Sequence, residues 1–586
     1  MSAKRPRREF LKQLPVTMAA GLAVPTLVDG QPSGGPITAE DLDAAQRVSG
    51  LALPADERLQ AQVLVNRNRD AIEAIRAVPL RPEVEPAFSF RPPRPAVATP
   101  AAPSAPSAPG TSAPGTSAPR HFGTPAPPAA LVRPARLEDL AFAPVTTLSS
   151  LLHGRQITSV ELTRMYLDRL TRHDARLHTV VTRTDALALA QATEADRELA
   201  SGRSRGPLHG VPYGIKDLFA TAGIPTTWGA QPYADQVFDY DATTVVKLRE
   251  AGAVLVAKLS TGELAIGDLW FRARTRNPWD PERGANGSSA GPAAATAAGL
   301  VGFAVGTETG GSIVSPAATC GVVGLRPTYG RSSRYGCMTL RWTLDKVGPL
   351  TRSVQDAALV LDAIHGPDGK DETVPPGVPF DWDRGGDVGG LRIGYIDREL
   401  GTLPDAATAE EREQFFARKP LYDAALQIYR DRGATLVPVT LPDLPAAAVY
   451  ALLNAEAGAM FDELLREGRI NQLADKSPNG RANQLRATRF IPAVDYIRAQ
   501  RVRTLLVQQT NALFDNVDVF LSPSASASMS LTNLTGHPAA VVPAGFVDGL
   551  PIALMITGRL WDEATVCRVA QAFESATDWH TRHPAL

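Results

Sequence analysis

Three residues in this chain could together build a hydrolytic site without a histidine: Lys216 in GVPYGIKDLF, Ser288 in GANGSSAGPAAATAAG and Ser312 in GTETGGSIVSPA. Attack on a carbonyl needs a hydroxyl nucleophile, a base to take its proton and donors for the oxyanion that forms. A lysine serves as base only when neutral, and moving its pKa from about 10.4 to near 7 amounts to roughly 4 to 5 kcal/mol of disfavoured charge. Burial is the usual means. Val211, Tyr213 and Ile215 alternate with Pro212, Gly214 and Lys216, a period-two pattern that predicts a strand ending on the lysine in apolar surroundings. Gly310 and Gly311 directly precede Ser312, and glycines there allow positive φ and turn successive N–H groups toward one point. Taken alone, Thr309-Gly310-Gly311-Ser312 also reads as a tight turn after the apolar run 300–305. The three motifs in fixed order are what favour chemistry.

Those motifs resemble the amidase signature family, serine hydrolases with a Ser, cis-Ser, Lys triad. Their spacing matches as well: 72 residues from Lys216 to Ser288 and 24 from Ser288 to Ser312. The resemblance implies that Ser312 is the nucleophile, that Ser288 follows a cis peptide bond and relays the proton, and that Lys216 is the base. It also implies an oxyanion hole of backbone N–H groups at Thr309, Gly310, Gly311 and Ser312. Further family-like stretches are NPWDPE from Asn277, CGVVGLRPTYG from Cys320, DKVGPLTRSVQDAALVLDAIHG from Asp345, IPAVDYIRAQRVR from Ile491 and LTNLTGHPAAVVPAGF from Leu531. The resemblance runs from about residue 135 to the C-terminus. Where many members read GGSSGG this chain has NGSSAG, with Asn286 and Ala290 as small replacements that should leave the turn intact. Where the A subunits of tRNA-dependent amidotransferases carry aspartate before the glycines and arginine after the nucleophile, this chain has Glu308 and Val314, as in stand-alone amidases. The implied reaction is hydrolysis of a carboxylic amide through a Ser312 acyl-enzyme. The alternative kept open is a glutamine-hydrolysing A-type subunit, which would need partner proteins, tRNA and ATP. A catalytically idle binding protein on the same scaffold is the third reading, disfavoured by the intact trio.

Gly287-Ser288-Ser289-Ala290-Gly291 also fits G-x-S-x-G, the nucleophile elbow of α/β-hydrolases, with Ser289 as nucleophile of an esterase-like enzyme. That elbow requires a buried strand immediately before it, and Arg283, Gly284, Ala285 and Asn286 do not read as one. It also requires a later histidine. The candidates are His365, His537, His580 and His583, the last two near a terminus expected to be mobile. Asp217, next to the lysine, reads as a structural partner and not as a second base.

The 586 residues are 44% hydrophobic and 21% charged with a net charge of −1, a balance that offers no global basic field for nucleic acid. Cys320, Cys337 and Cys567 are too few for a disulfide framework and show no metal-ligand spacing, so free thiols are expected, with a Cys320–Cys337 bridge open in an exported protein. Neither metal nor cofactor is expected, and the partner is a small-molecule or peptide amide. Residues 1–30 resemble a twin-arginine export signal, Arg7-Arg8-Glu9-Phe10-Leu11-Lys12 before a mildly apolar stretch too short for a comfortable transmembrane span. The mature enzyme is therefore expected in the periplasm or otherwise exported, and in the cytoplasm if the signal is not used. Residues 37–82 read as two helices with Thr38 as a cap, resembling the small amidotransferase C subunit fused in line and expected to pack on the enzyme body. Residues 83–134, rich in proline, alanine and serine, read as a linker, and 135–586 as the amidase domain.

Within that domain Thr158 and Glu161 predict a capping box opening a helix with Leu162, Met165, Tyr166 and Leu170 on one face. A second helix is predicted over 185–201 and another over 293–298, its N-terminal dipole near the serine pair. Apolar runs at 253–257, 301–305, 393–395, 517–521 and 539–542 alternate with helical stretches. That alternation predicts an α/β fold, and the resemblance implies a large mixed β-sheet covered by helices on both faces. No motif is readable over 366–489.

Overall fold

A computed structural model describes residues 35–81, 84–88, 90–92, 132–383, 387–403 and 407–586. The export motif and most of the linker lie outside these residues. The mixed α/β architecture expected from the sequence is present.

The strands are β1 (Val180–Arg183), β2 (Pro212–Lys216), β3 (Val254–Leu259), β4 (Arg276–Asn277), β5 (Asp280–Gly284), β6 (Phe303–Glu308), β7 (Val323–Arg326), β8 (Lys346–Thr351), β9 (Arg392–Ile396), β10 (Thr435–Val439), β11 (Val519–Pro523), β12 (Ala539–Val547) and β13 (Leu550–Gly558). Among the described residues β4 and β5 form a separate ribbon, and the other eleven form one sheet in the order β1-β3-β2-β6-β8-β7-β12-β13-β11-β9-β10. The central strands β2, β3, β6, β7 and β8 are buried along their whole length, which accounts for their apolar runs. β2 runs parallel to β3 on one side and to β6 on the other. The chain thus crosses from one side of β2 to the other between β3 and β6. The crevice beyond the carboxyl ends of such strands is where open α/β sheets place their sites. Lys216 ends β2 and Glu308 ends β6 at that edge.

Helix Ser159–Leu177 begins with the expected box: Thr158 Oγ1 accepts from the Glu161 N–H, and Glu161 caps the Thr158 N–H in return. Leu162, Met165 and Tyr166 of its predicted face enter the main core with Tyr213, Ile215, Phe303 and Val305, while Leu170 joins an adjoining cluster with Val254, Val256 and Leu300. Helix Asp185–Ala200 packs beside it.

The N-terminal segment forms helices Ala39–Ser49 and Ala55–Arg76, joined through Gly50 at φ 68°. They lie on the enzyme body through Ala71, Ile72 and Ile75, which share a cluster with Val449, Leu452, Ala499 and Val502. The described part of the following segment continues along the body: Arg501 donates to Val84 O and Thr504 to Glu85 O, and the Arg503 guanidinium sits 4.0 Å from the Phe90 ring centroid. The C-terminus is docked instead of loose, with His583 stacked on Phe142 at 3.9 Å. Among the described residues no helix is long and apolar enough to cross a membrane.

Candidate active site

The strand pattern that places Lys216 at the end of β2 leaves its amine fully buried. Burial brings its pKa down from the ordinary 10.5 to about 7, against the opposing pull of Cys337, Asp345 and Glu308. The amine is held by three oxygens: Ser288 Oγ at 2.8 Å, Thr307 Oγ1 at 2.8 Å and Thr307 O at 3.4 Å. Strand β6 supplies Thr307, and the loop ahead of helix Ala290–Ala297 supplies Ser288, so three separate elements meet at one nitrogen.

The Gly287–Ser288 peptide bond is cis. Asn286 takes the left-handed region at φ 63°, which asparagine tolerates, and its Oδ1 accepts from the Gly287 N–H at 2.7 Å. That explains how asparagine stands where many members have glycine.

Ser312 lies beside this pair: the Ser289 N–H donates to Ser312 O at 3.1 Å. Gly311 has φ 121°, a conformation that only glycine adopts readily. Among the described residues no hydrogen bond claims the N–H groups of Thr309, Gly310, Gly311 or Ser312. Four unclaimed donors in one turn, next to a half-buried serine hydroxyl, are what an oxyanion-stabilising loop requires.

The loop is braced from both sides. Ahead of it, the Thr309 hydroxyl donates to Asp345 Oδ1 at 2.6 Å. Behind it, Glu308 Oε2 accepts from the Ile313 and Val314 N–H groups at 2.7 and 2.8 Å, capping helix Val314–Cys320. The other Glu308 oxygen takes Arg326 at 2.9 Å and Asn533 at 2.8 Å, all of it buried. Burial alone would raise the pKa of this carboxyl, but Arg326 and the Val314 N–H outweigh it and leave it below the ordinary value. Sequence reading singled out Glu308 only as a departure from the family aspartate. Its partners are up to 225 positions away, so no local signal announces them.

Two further residues border the loop: Tyr450, from the stretch that carried no readable motif, and Met529. A Cβ placed on Gly310 would lie 2.1 Å from Tyr450 Oη, so the phenol rests directly on that glycine. The Arg341 guanidinium stacks on the Tyr450 ring at 4.1 Å. Met529 lies against the next glycine, where a Cβ on Gly311 would meet its sulfur at 2.8 Å.

The elbow arrangement is not formed. Ser289 is fully buried, and its hydroxyl donates to Thr307 O at 3.1 Å and accepts from the Thr307 N–H at 3.3 Å. His537 is bonded to Thr535 at 2.8 Å and stacked on Phe514, and burial depresses its pKa to about 3. Asp217 is a structural group, paired with Lys258 at 3.1 Å and accepting from the Thr227 N–H and hydroxyl. Cys320, Cys337 and Cys567 are free thiols. Among the described residues no group of three or more His, Cys, Asp or Glu side chains could hold a metal.

The Amidase family model matches residues 161–530 of this chain. The chain belongs to the amidase signature family. It is 37% identical over 498 residues to the A subunit of the glutamyl-tRNA(Gln) amidotransferase of Chloroflexus aggregans, across 77% of this chain and 99% of that protein. Its fold superposes on the peptide amidase of Stenotrophomonas maltophilia with a TM-score of 0.68 at 31% identity, covering 76% of this chain and 99% of the other. The A subunit of the glutamyl-tRNA(Gln) amidotransferase of Thermotoga maritima gives 0.61 at 26% identity, covering 76% and 97%. Hydrolysis of an amide carbon–nitrogen bond is the chemistry that this amidase membership supports.

Proposed function

We propose that the protein is a stand-alone amidase working through an acyl-enzyme on Ser312. The observation that carries this reading is the buried Lys216 amine, poised near pH 7 and 2.8 Å from Ser288 Oγ, beside a serine loop with unclaimed N–H donors. Ser312 Oγ bonds to the amide carbon while its proton passes to Ser288 Oγ, whose own proton moves to neutral Lys216. The N–H groups at 309–312 take the negative charge of the tetrahedral intermediate. As it collapses the carbon–nitrogen bond breaks, and the proton returns through the relay to the departing amine or ammonia. Water then attacks the ester by the same route, releasing the acid and restoring Ser312.

The stand-alone reading draws support from Val314, a fully buried apolar residue after the nucleophile, and from the helix pair Ala39–Arg76 already covering one side of the body in the same chain. The second reading, a glutamine-hydrolysing A-type subunit, is favoured by the 37% identity that runs through 99% of such a protein. The helix pair, on this reading, stands for a fused C-type subunit. The twin-arginine-like Arg7-Arg8 motif leads us to place the mature enzyme outside the cytoplasm. The separating experiment presents the purified chain, without ATP, tRNA or added proteins, with aliphatic, aryl and peptide C-terminal amides and with glutamine. Multiple turnovers of ammonia or amine release from a non-glutamine amide support the stand-alone amidase. Turnover of glutamine alone, rising on addition of amidotransferase partner subunits, would replace it with the second reading.

A further inference from the structure

We infer that the N-terminal helix pair is a working part of the active site, because it sets the position of the pocket wall that leans on the nucleophile loop. The inference rests on the reading of 309–312 as the reacting loop.

The wall consists of two short helices, Ala446–Leu452 and Arg481–Thr488. The first carries Tyr450, whose hydroxyl touches Gly310. Arg341 ties this helix to the loop: its guanidinium donates to Tyr450 O at 2.9 Å and to Asn454 Oδ1 at 3.0 Å, while its backbone N–H donates to Asp345 at 3.0 Å. Asp345 is also the acceptor of the Thr309 hydroxyl. The second helix begins with Arg481, 3% exposed, whose charge is felt by Arg341, Tyr450 and Asp345. Loop and first helix therefore share one hydrogen-bonded network, and the second helix sets a buried cation close to it.

Helices of seven and eight residues do not hold their position by themselves; tertiary packing fixes them. Here the N-terminal pair supplies a large part of that packing, beside helices Ala493–Leu513 and Ala527–Thr535. Ala71, Ile72 and Ile75 cover Val449, Leu452 and Leu453, and Leu42 and Val65 cover Ala487. A buried ion pair joins Glu57 to Arg486 at 2.9 Å, with side chains 10% and 3% exposed. Asn471 bonds to both members, at 2.9 Å to Glu57 and 2.6 Å to Arg486. Asn68 donates to Ala487 O at 3.2 Å, and with two bonds of 3.0 Å Arg76 grips Asp495 on helix Ala493–Leu513, which packs against the first wall helix. Leu53, in the turn between the two helices, enters a cluster with Leu218 and Trp228, just beyond Lys216 in sequence. By contrast, no hydrogen bond among the described residues runs from 35–92 to Lys216, Ser288 or Ser312. The helix pair acts on the wall and leaves the relay alone, so its contribution belongs to substrate binding and not to the proton transfers.

The test uses the full chain with Glu57→Ala, which strands Arg486, and with Arg76→Ala at the rim as a milder second variant. A Glu57→Met, Arg486→Met double variant replaces the pair by apolar side chains and should restore the fit. Three quantities are read: KM and kcat on an amide the wild type turns over, the rate of labelling by a small fluorophosphonate, and Tm. The expected result is a KM raised about tenfold in Glu57→Ala and less in Arg76→Ala, with the labelling rate within about twofold of wild type and KM recovered in the double variant. A lowered Tm with unchanged KM in both single variants would show that the helix pair is only a structural prop, and the inference would be wrong. Should Glu57→Ala fail to fold, an unchanged KM in Arg76→Ala would overturn the inference in the same way. Failure of the wild type to label would speak against the Ser312 reading and not against this coupling.

Discussion

Replacing Lys216 by methionine should inactivate the enzyme and stabilise it. The amine is fully buried, and its pKa falls from 10.5 in the unfolded chain to about 7 in the fold. Between those two values the unfolded chain holds a proton that the folded chain does not. The folded state therefore gains stability as pH rises from about 7 to about 10.5, and below about 7 the penalty is fully present. At pH 7 the penalty is about 4 kcal/mol. Methionine, of similar length, removes the penalty along with the bonds to Ser288 and Thr307, each worth about 1 kcal/mol. The variant should thus be about 2 kcal/mol more stable at pH 7, and that advantage should vanish near about pH 9 and reverse as pH approaches 10.5. Thermal and urea unfolding across this range measure it. Activity moves the other way. Loss of the base should cost about 100-fold to 10,000-fold in kcat/KM, and the wild-type rise of activity through about pH 7 should be absent. A variant that is less stable at pH 7, or one that keeps the inflection near pH 7, would refute the assignment of a neutral buried base.

Other substitutions separate roles within the same few ångströms. Ser289→Ala should cost about 1 to 3 kcal/mol in urea unfolding by taking the Ser289 acceptor from the Thr307 N–H and one of two side-chain donors from the Thr307 C=O, yet keep fluorophosphonate labelling. Glu308→Ala should cost about 3 to 5 kcal/mol because Arg326 and two N–H groups beside Ser312 lose a buried anion. Its labelling should slow as well, whereas Glu308→Asp should retain most of the rate if the shorter carboxylate still reaches the Ile313 N–H.

The parts of the site legible in the sequence were those whose physics is local. The alternation around Tyr213 and Ile215 marks a buried strand, Gly310 and Gly311 mark a turn, and Thr158 with Glu161 marks a helix start. The helix after the serine pair was placed late, since Ala290–Ala297 begins at once after Ser289 where the alanine run suggested residue 293. Strands β7 and β8 escaped notice because Val323–Arg326 and Lys346–Thr351 carry glycine, proline, arginine and lysine at positions that only the neighbouring strands make tolerable. What surrounds the trio was illegible for a different reason. Tyr450 reaches Gly310 from more than a hundred residues away, and Glu57 reaches Arg486 across 429, and no periodicity records such meetings.

The central claim is that Ser312, and not Ser289, carries the acyl group. Intact-mass and peptide mass spectrometry after exposure to an activated fluorophosphonate tests it directly, with wild type, Ser312→Ala and Ser289→Ala side by side. A single adduct mapping to Ser312, lost in Ser312→Ala and kept in Ser289→Ala, is the predicted result. An adduct that survives in Ser312→Ala and disappears in Ser289→Ala would contradict the account.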